Sequence, residues 1–76
     1  SRAMFDILSE YSDRIEPFSI DEGFLDYTGM EALFGPPIEA AKAIQKRILA
    51  ELGFTVNIGI STNKLLAKMA GELETE

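Results

Sequence analysis

The sequence predicts an α+β layer fold, a mainly antiparallel sheet with helices packed on one face. Three observations predict it. The stretch "IEPFSIDEGFLDYT" (15–28) places β-formers on both sides of a short polar centre, "IEAAKAIQKRILAELG" (38–53) repeats apolar residues at helical spacing, and "FTVNIGIS" (54–61) alternates apolar with polar or small residues. Helices segregated to one side of such a sheet have the layout of part of a split βαβ unit.

Taken in order, "SRAMFDILSEYSDRI" sets Met4, Ile7, Leu8 and Tyr11 at helical spacing, predicting an amphipathic helix that ends near Ser12 or Asp13. The period then changes. Phe18 and Ile20, followed by Phe24, Leu25 and Tyr27, predict a hairpin with Asp21 and Glu22 at or beside its tip. "GMEALFGPP" (29–37) has the glycine and proline punctuation of a connection, and Pro37 suits the first turn of a helix, where its missing N–H costs nothing. In that helix Ile38, Ala41, Ile44, Ile48 and Leu52 make a stripe and Gly53 is a natural left-handed stop. The strand "FTVNIGIS" supplies Phe54, Val56, Ile58 and Ile60 to cover that stripe, with Gly59 leaving the other face open. Ser61 or Thr62 is then predicted to cap a last helix, "NKLLAKMAGEL" (63–73), with Leu65, Leu66, Met69 and Leu73 inward and Lys64 and Lys68 sharing a face.

A chain of 76 residues is at most one small domain, and so short a chain buries less of its surface than larger domains do. It has no cysteine and no histidine, which excludes a disulfide framework and a typical zinc site and leaves oxygen donors for any metal. No apolar run has the length of a membrane span, and the N-terminal stretch is acidic where a signal peptide would be basic and apolar, so no membrane partner and a cytoplasmic location are expected. The net charge of −6 argues against broad non-specific nucleic-acid binding, because that affinity comes from Lys and Arg neutralising phosphates.

Asp21 and Glu22 are adjacent acids between two apolar runs, and each makes ionisation of the other harder where water is excluded. One reading makes them plain turn residues. The other makes them an oxygen-rich Mg²⁺ site, since Mg²⁺ takes one or two carboxylates together with substrate phosphates. Side-chain alternation then requires the hairpin to bend between the two. In "GISTNKLLAK" (59–68) the choice lies between an ordinary capped strand-to-helix junction and a phosphate site at the helix N-terminus with Lys64 adding charge.

Together, "IEPFSIDEGFLDYTG", the amphipathic helix and "FTVNIGISTNKLLAKMAGEL" resemble the palm domain of the Y-family, lesion-bypass DNA polymerases, in their bacterial UmuC/DinB branch, over nearly the whole chain. "SIDEGFLD" (19–26) is the more specific landmark and "GISTNKLLAK" the second. The resemblance implies a partial ferredoxin-like palm and template-directed nucleotidyl transfer with two Mg²⁺ ions, acting on a DNA primer-template and a dNTP. By the same resemblance Asp21 binds metal, Glu22 binds metal and helps activate the primer end, and Lys64 lies near DNA or phosphate. Such palms draw a third metal-binding Asp from a first, central strand lying between the hairpin and "FTVNIGIS", and a lysine beyond the last helix, neither of which this sequence contains. The expectation is therefore a catalytically inert polymerase fragment whose sheet lacks its first central strand. Its unpaired edges are expected either to form a homodimer or to rearrange the sheet.

The rival from another class is a non-catalytic α+β interaction module with an acidic turn. An RNA-recognition fold shares the layout, but "FTVNIGIS" lacks the basic and aromatic platform on which bases stack. A nucleotide cyclase is a further palm-type alternative, against which "SIDEGFLD" counts.

Overall fold

The computed structural model describes residues 2–19 and 21–72. The elements run α1 (Arg2–Leu8), β1 (Ile15–Ser19), β2 (Glu22–Asp26), α2 (Glu31–Phe34), α3 (Pro37–Leu52), β3 (Phe54–Ser61) and β4 (Lys64–Glu72). The four strands form one antiparallel sheet in the order β1-β2-β4-β3. The α+β class and the one-sided helices agree with the sequence. No helix among the described residues is long and apolar enough to cross a membrane.

The α1 segment buries Met4, Ile7 and Leu8 as expected, and Tyr11 follows them into the core. It stops earlier than its periodicity suggests. The bonds Glu10 N–H to Ile7 O (3.1 Å) and Tyr11 N–H to Leu8 O (2.9 Å) tighten the last turn to three-residue spacing. Ser12 is then held outside any helix: its Oγ donates to Asp26 O (2.7 Å) and accepts from Arg14 N–H (3.0 Å). Arg47 on α3 ties this corner down through Glu10 (2.7 Å) and its own Glu51 (2.9 Å), with its guanidinium 5.9 Å from the centre of the Tyr11 ring.

Pro37 begins α3 and Gly53 ends it at φ 76°, ψ 18°, donating to Leu49 O at 3.1 Å. The buried stripe is Ala40, Ala41, Ile44 and Ile48, with Leu52 half-buried, whereas Ile38 is 51% exposed. Helix geometry explains the difference: Ile38 lies roughly 120° around the axis from Ile44, while Ala40 lies within about 40° of it. The connection before α3 contains a single helical turn, α2, where the sequence predicts only a loop. Tyr27 anchors that connection, wholly buried, with its hydroxyl donating to Gly35 O at 2.6 Å. Burial and the Glu31 charge raise its pKa, so the neutral, donating form is the stable one. Tyr27→Phe is expected to lower stability by about 1 kcal/mol, measured by urea unfolding.

The main correction concerns 63–73. The predicted helix is instead the strand β4 over Lys64–Glu72, inserted between β2 and β3 and paired with both. It occupies the position expected to be empty, so the facing edges of β2 and β3 are both paired. Tertiary position has overridden local preference: a central strand satisfies backbone groups on both edges and buries Leu65 and Ala67, each 1% exposed. Leu73 lies outside the described residues.

Candidate active site

A turn joins β1 to β2 beside the acid pair. Ser19 pairs with Glu22, a register shift separates the Pro17 and Ser19 pairs, and Asp21 occupies the turn. Asp21 is held from two sides: Ser19 Oγ donates to its Oδ1 (3.1 Å), and its main-chain O accepts from Met69 N–H (2.8 Å). Glu22 opens β2 and, like Asp21, is half-buried. The Phe18 side chain and Ile20, also expected in this hairpin, lie outside the described residues.

Alternation along β2 sets the two faces of the sheet. Gly23 and Leu25 turn toward the helices, and an ideal Cβ on Gly23 would stand 2.7 Å from the Phe5 ring, so that ring packs directly over the glycine. Glu22, Phe24 and Asp26 therefore point to the opposite, helix-free face. Cross-strand register places Lys68 and Asn57 in the row of Glu22, Leu66 and Gly59 in the row of Phe24, and Lys64 and Ser61 in the row of Asp26. The Lys64 ammonium lies 5.1 Å from the centre of the Phe24 ring. A shallow groove of about 340 Å³ follows these rows, lined by Phe24, Gly59, Ile60, Ser61, Lys64 and Leu66.

The arrangement thus sets Glu22 on the open face, with Asp21 in the adjoining turn, and places Lys68, rather than Lys64, beside Glu22. Lys64 stands four residues farther along, roughly 13 Å from that row. Among the described residues no group of three or more acids converges as a metal-ion cage. The hairpin tip carries two carboxylates, the hard oxygen donor type that Mg²⁺ takes.

Asp26, the third acid of "SIDEGFLD", has a different task. Its Oδ1 accepts from Thr28 N–H (3.0 Å) and its Oδ2 from Arg14 Nε (3.2 Å), while Arg14 Nη2 donates to Thr28 O (2.9 Å). Sequence reasoning missed this cluster, although an Asp two residues before a turn Thr is the signature of an Asx-turn. The Thr28 amide, helped by the Arg14 charge, holds the Asp26 pKa below its ordinary value of 3.8. A carboxylate with a depressed folded-state pKa adds stability above its unfolded pKa and loses it as pH falls through the folded one. Stability is accordingly expected to decline from about pH 4 downward, and Asp26→Asn to flatten that part of a pH-dependent thermal-unfolding profile.

The model of the impB/mucB/samB family matches residues 1–72. The chain is 56% identical over 64 residues to DNA polymerase IV 2 of Bacillus subtilis (strain 168), covering 84% of this chain and 16% of that protein. It is 52% identical over 77 residues to DNA polymerase IV of Clostridium acetobutylicum, covering 96% and 18% respectively. Against DNA polymerase IV of Bacillus anthracis the identity is 49% over 71 residues, 93% of this chain and 17% of that one. The chain therefore spans less than a fifth of the length of these curated relatives. No solved structure matches it.

Proposed function

Because the chain belongs to the impB/mucB/samB family, we propose that it forms part of the palm, the catalytic region, of a longer lesion-bypass DNA-directed DNA polymerase. The observation that supports this most is the hairpin that presents Asp21 in its turn and Glu22 on the helix-free face. In this reading the substrates are a primer-template and a dNTP, and Asp21 and Glu22 are the residues that would hold Mg²⁺. The metal, when bound, supplies Lewis-acid stabilisation of phosphoryl oxygens and of the leaving group.

The chain's own residues do the positioning. Ser19 orients the Asp21 carboxylate through its hydroxyl, and the amide of Met69 holds the Asp21 main chain. Glu22, at the start of β2, offers an acceptor for the proton of a primer hydroxyl. Lys68 beside it and Lys64 farther along supply positive charge on a face that would otherwise repel phosphates, which suits an overall acidic chain. The rival is an interaction module in which the same hairpin is only a turn, and the Ser19–Asp21 bond is the observation that favours it. The deciding experiment is Mg²⁺-dependent primer extension by a longer protein that includes these residues. A template-directed ladder that disappears with either carboxylate supports the polymerase reading, and extension indifferent to both carboxylates supports the rival.

A further inference from the structure

The sheet ends in two outer strands, β1 and β3, and the two are built differently. The β1 edge is five residues long, carries Glu16 and Pro17, and is interrupted by the register shift between Pro17 and Ser19. Charge, proline and irregular pairing are the usual means by which an edge strand is kept from pairing with another chain. The β3 edge has none of them from Val56 onward. It runs eight residues, Phe54–Ser61, without a charge or a proline, and its register against β4 is unbroken from Val56 to Ser61.

The main chain of β3 shows which groups face outward. Gln45 Nε2 on α3 donates to Val56 O at 2.9 Å, so that carbonyl is turned away from β4. Main-chain groups alternate along an antiparallel strand, so Ile58 and Ile60 also present their N–H and C=O on the outer side, while Asn57, Gly59 and Ser61 bond toward β4. The apolar residues left exposed gather at the same place. Ile60 is 39% exposed, and Ile38, 51% exposed, lies seven residues before Gln45, two helical turns along the same line of α3. Seven helix residues and three strand residues both span about 10 Å, which sets Ile38 level with Gly59 as Gln45 is level with Val56.

We propose that the outer edge of β3 pairs with the same edge of a second copy of this chain, antiparallel across a two-fold axis at Gly59, joining two four-stranded sheets into one. The edge is its own complement in this register, as a two-fold interface requires. Ile58 faces Ile60 of the second copy, and Ile60 faces its Ile58, each pair exchanging two hydrogen bonds. The two Gly59 residues meet on the axis as a non-hydrogen-bonded pair with no side chains to hold the strands apart. Asn57 faces Ser61, an amide against a hydroxyl, and no like charges oppose each other along the strand. The other registers fail on the structure. An axis at Asn57 or Ile58 needs the Val56 carbonyl, which Gln45 occupies, and an axis at Ile60 opposes Ile58 to Thr62, whose φ of 44° takes it out of the strand. The inference rests on the fold and not on the polymerase reading.

The test is sedimentation equilibrium on this 76-residue chain, joined to a crosslink that reads the register. The mass should rise with concentration from 8.4 kDa toward twice that value. Ile60→Lys places a charge in the edge and should weaken association about tenfold or more, whereas Leu33→Lys, at a position 71% exposed and away from β3, should leave it unchanged. The chain has no cysteine, so a single introduced thiol reports on one position. Gly59→Cys adds its Cβ where nothing lies within 4 Å, and non-hydrogen-bonded partners stand about 4.5 Å apart at Cα, within disulfide reach. Under mild oxidation it should form a covalent dimer about tenfold faster or more than Leu33→Cys. A chain that stays monomeric at millimolar concentration would overturn the proposal. So would a dimer that Ile60→Lys leaves intact, or Gly59→Cys crosslinking no faster than Leu33→Cys.

Discussion

Ile44→Ala is expected to leave much of the chain unfolded at 25 °C. Ile44 is completely buried at the centre of the stripe that α3 lays on the sheet, in one cluster with Met4, Leu8, Leu25, Tyr27, Ile48 and Leu65. Removing three carbons there costs the transfer energy of the lost atoms and leaves a cavity that a core bounded by sheet and helix cannot fully close, together about 2–5 kcal/mol. A single core of this size rarely supplies more than about 3–5 kcal/mol of net stability. The loss is therefore comparable with the whole. Ile38→Ala is the matched control: the same side chain, on the same helix, 51% exposed, should cost less than about 0.5 kcal/mol. Urea titrations followed by circular dichroism check both. A cooperative transition for Ile44→Ala at nearly the wild-type midpoint would show that the α3 stripe is not the centre of the core.

The second large effect concerns activity. In a longer protein containing these residues, Asp21→Asn and Glu22→Gln are each expected to reduce Mg²⁺-dependent primer extension by about a hundredfold or more. In the proposed reading Glu22 accepts a proton, a role worth about that much, and each substitution also removes half of the anionic donor set at the hairpin tip. Neither should shift the unfolding midpoint much, since both side chains are only half-buried and neither belongs to the core cluster. Asp26→Asn should behave in the opposite way. Its carboxylate is engaged by Thr28 and Arg14, so substitution should lower stability at neutral pH and leave extension nearly intact. Extension rates and unfolding midpoints for the three variants, taken together, separate the two kinds of acid. If Asp21→Asn and Glu22→Gln extended primers at the wild-type rate, the hairpin would be a turn and nothing more.

Much of this site is legible in the sequence, because its landmarks are local. A short polar centre between β-formers is a hairpin wherever it occurs, and adjacent carboxylates at its tip need an explanation whatever surrounds them. The α3 stripe is legible for the same reason, apart from Ile38, which reads as apolar but falls off the face that Ala40 completes. The Arg14–Asp26–Thr28 cluster is harder to find because Arg14 reaches Asp26 across twelve residues, and sequence spacing says nothing about such a meeting. The placement of Lys68 beside Glu22 is not legible at all, since it depends on which segment fills the slot next to β2.

By itself, then, the sequence determined the features set by nearest neighbours: the hairpin, the helix α3 with its proline start and glycine stop, the alternating strand β3, the exclusion of thiolate and imidazole chemistry, and the acid pair as the place to look. Only the tertiary structure decided the fate of 64–72. Its side chains ask for a helix, but the slot between β2 and β3 offers hydrogen-bond partners along both edges and burial for Leu65 and Ala67. Intrinsic preferences differ by tenths of a kcal/mol per residue, whereas a buried aliphatic side chain the size of leucine contributes about 1.5–3 kcal/mol, so the sheet prevails.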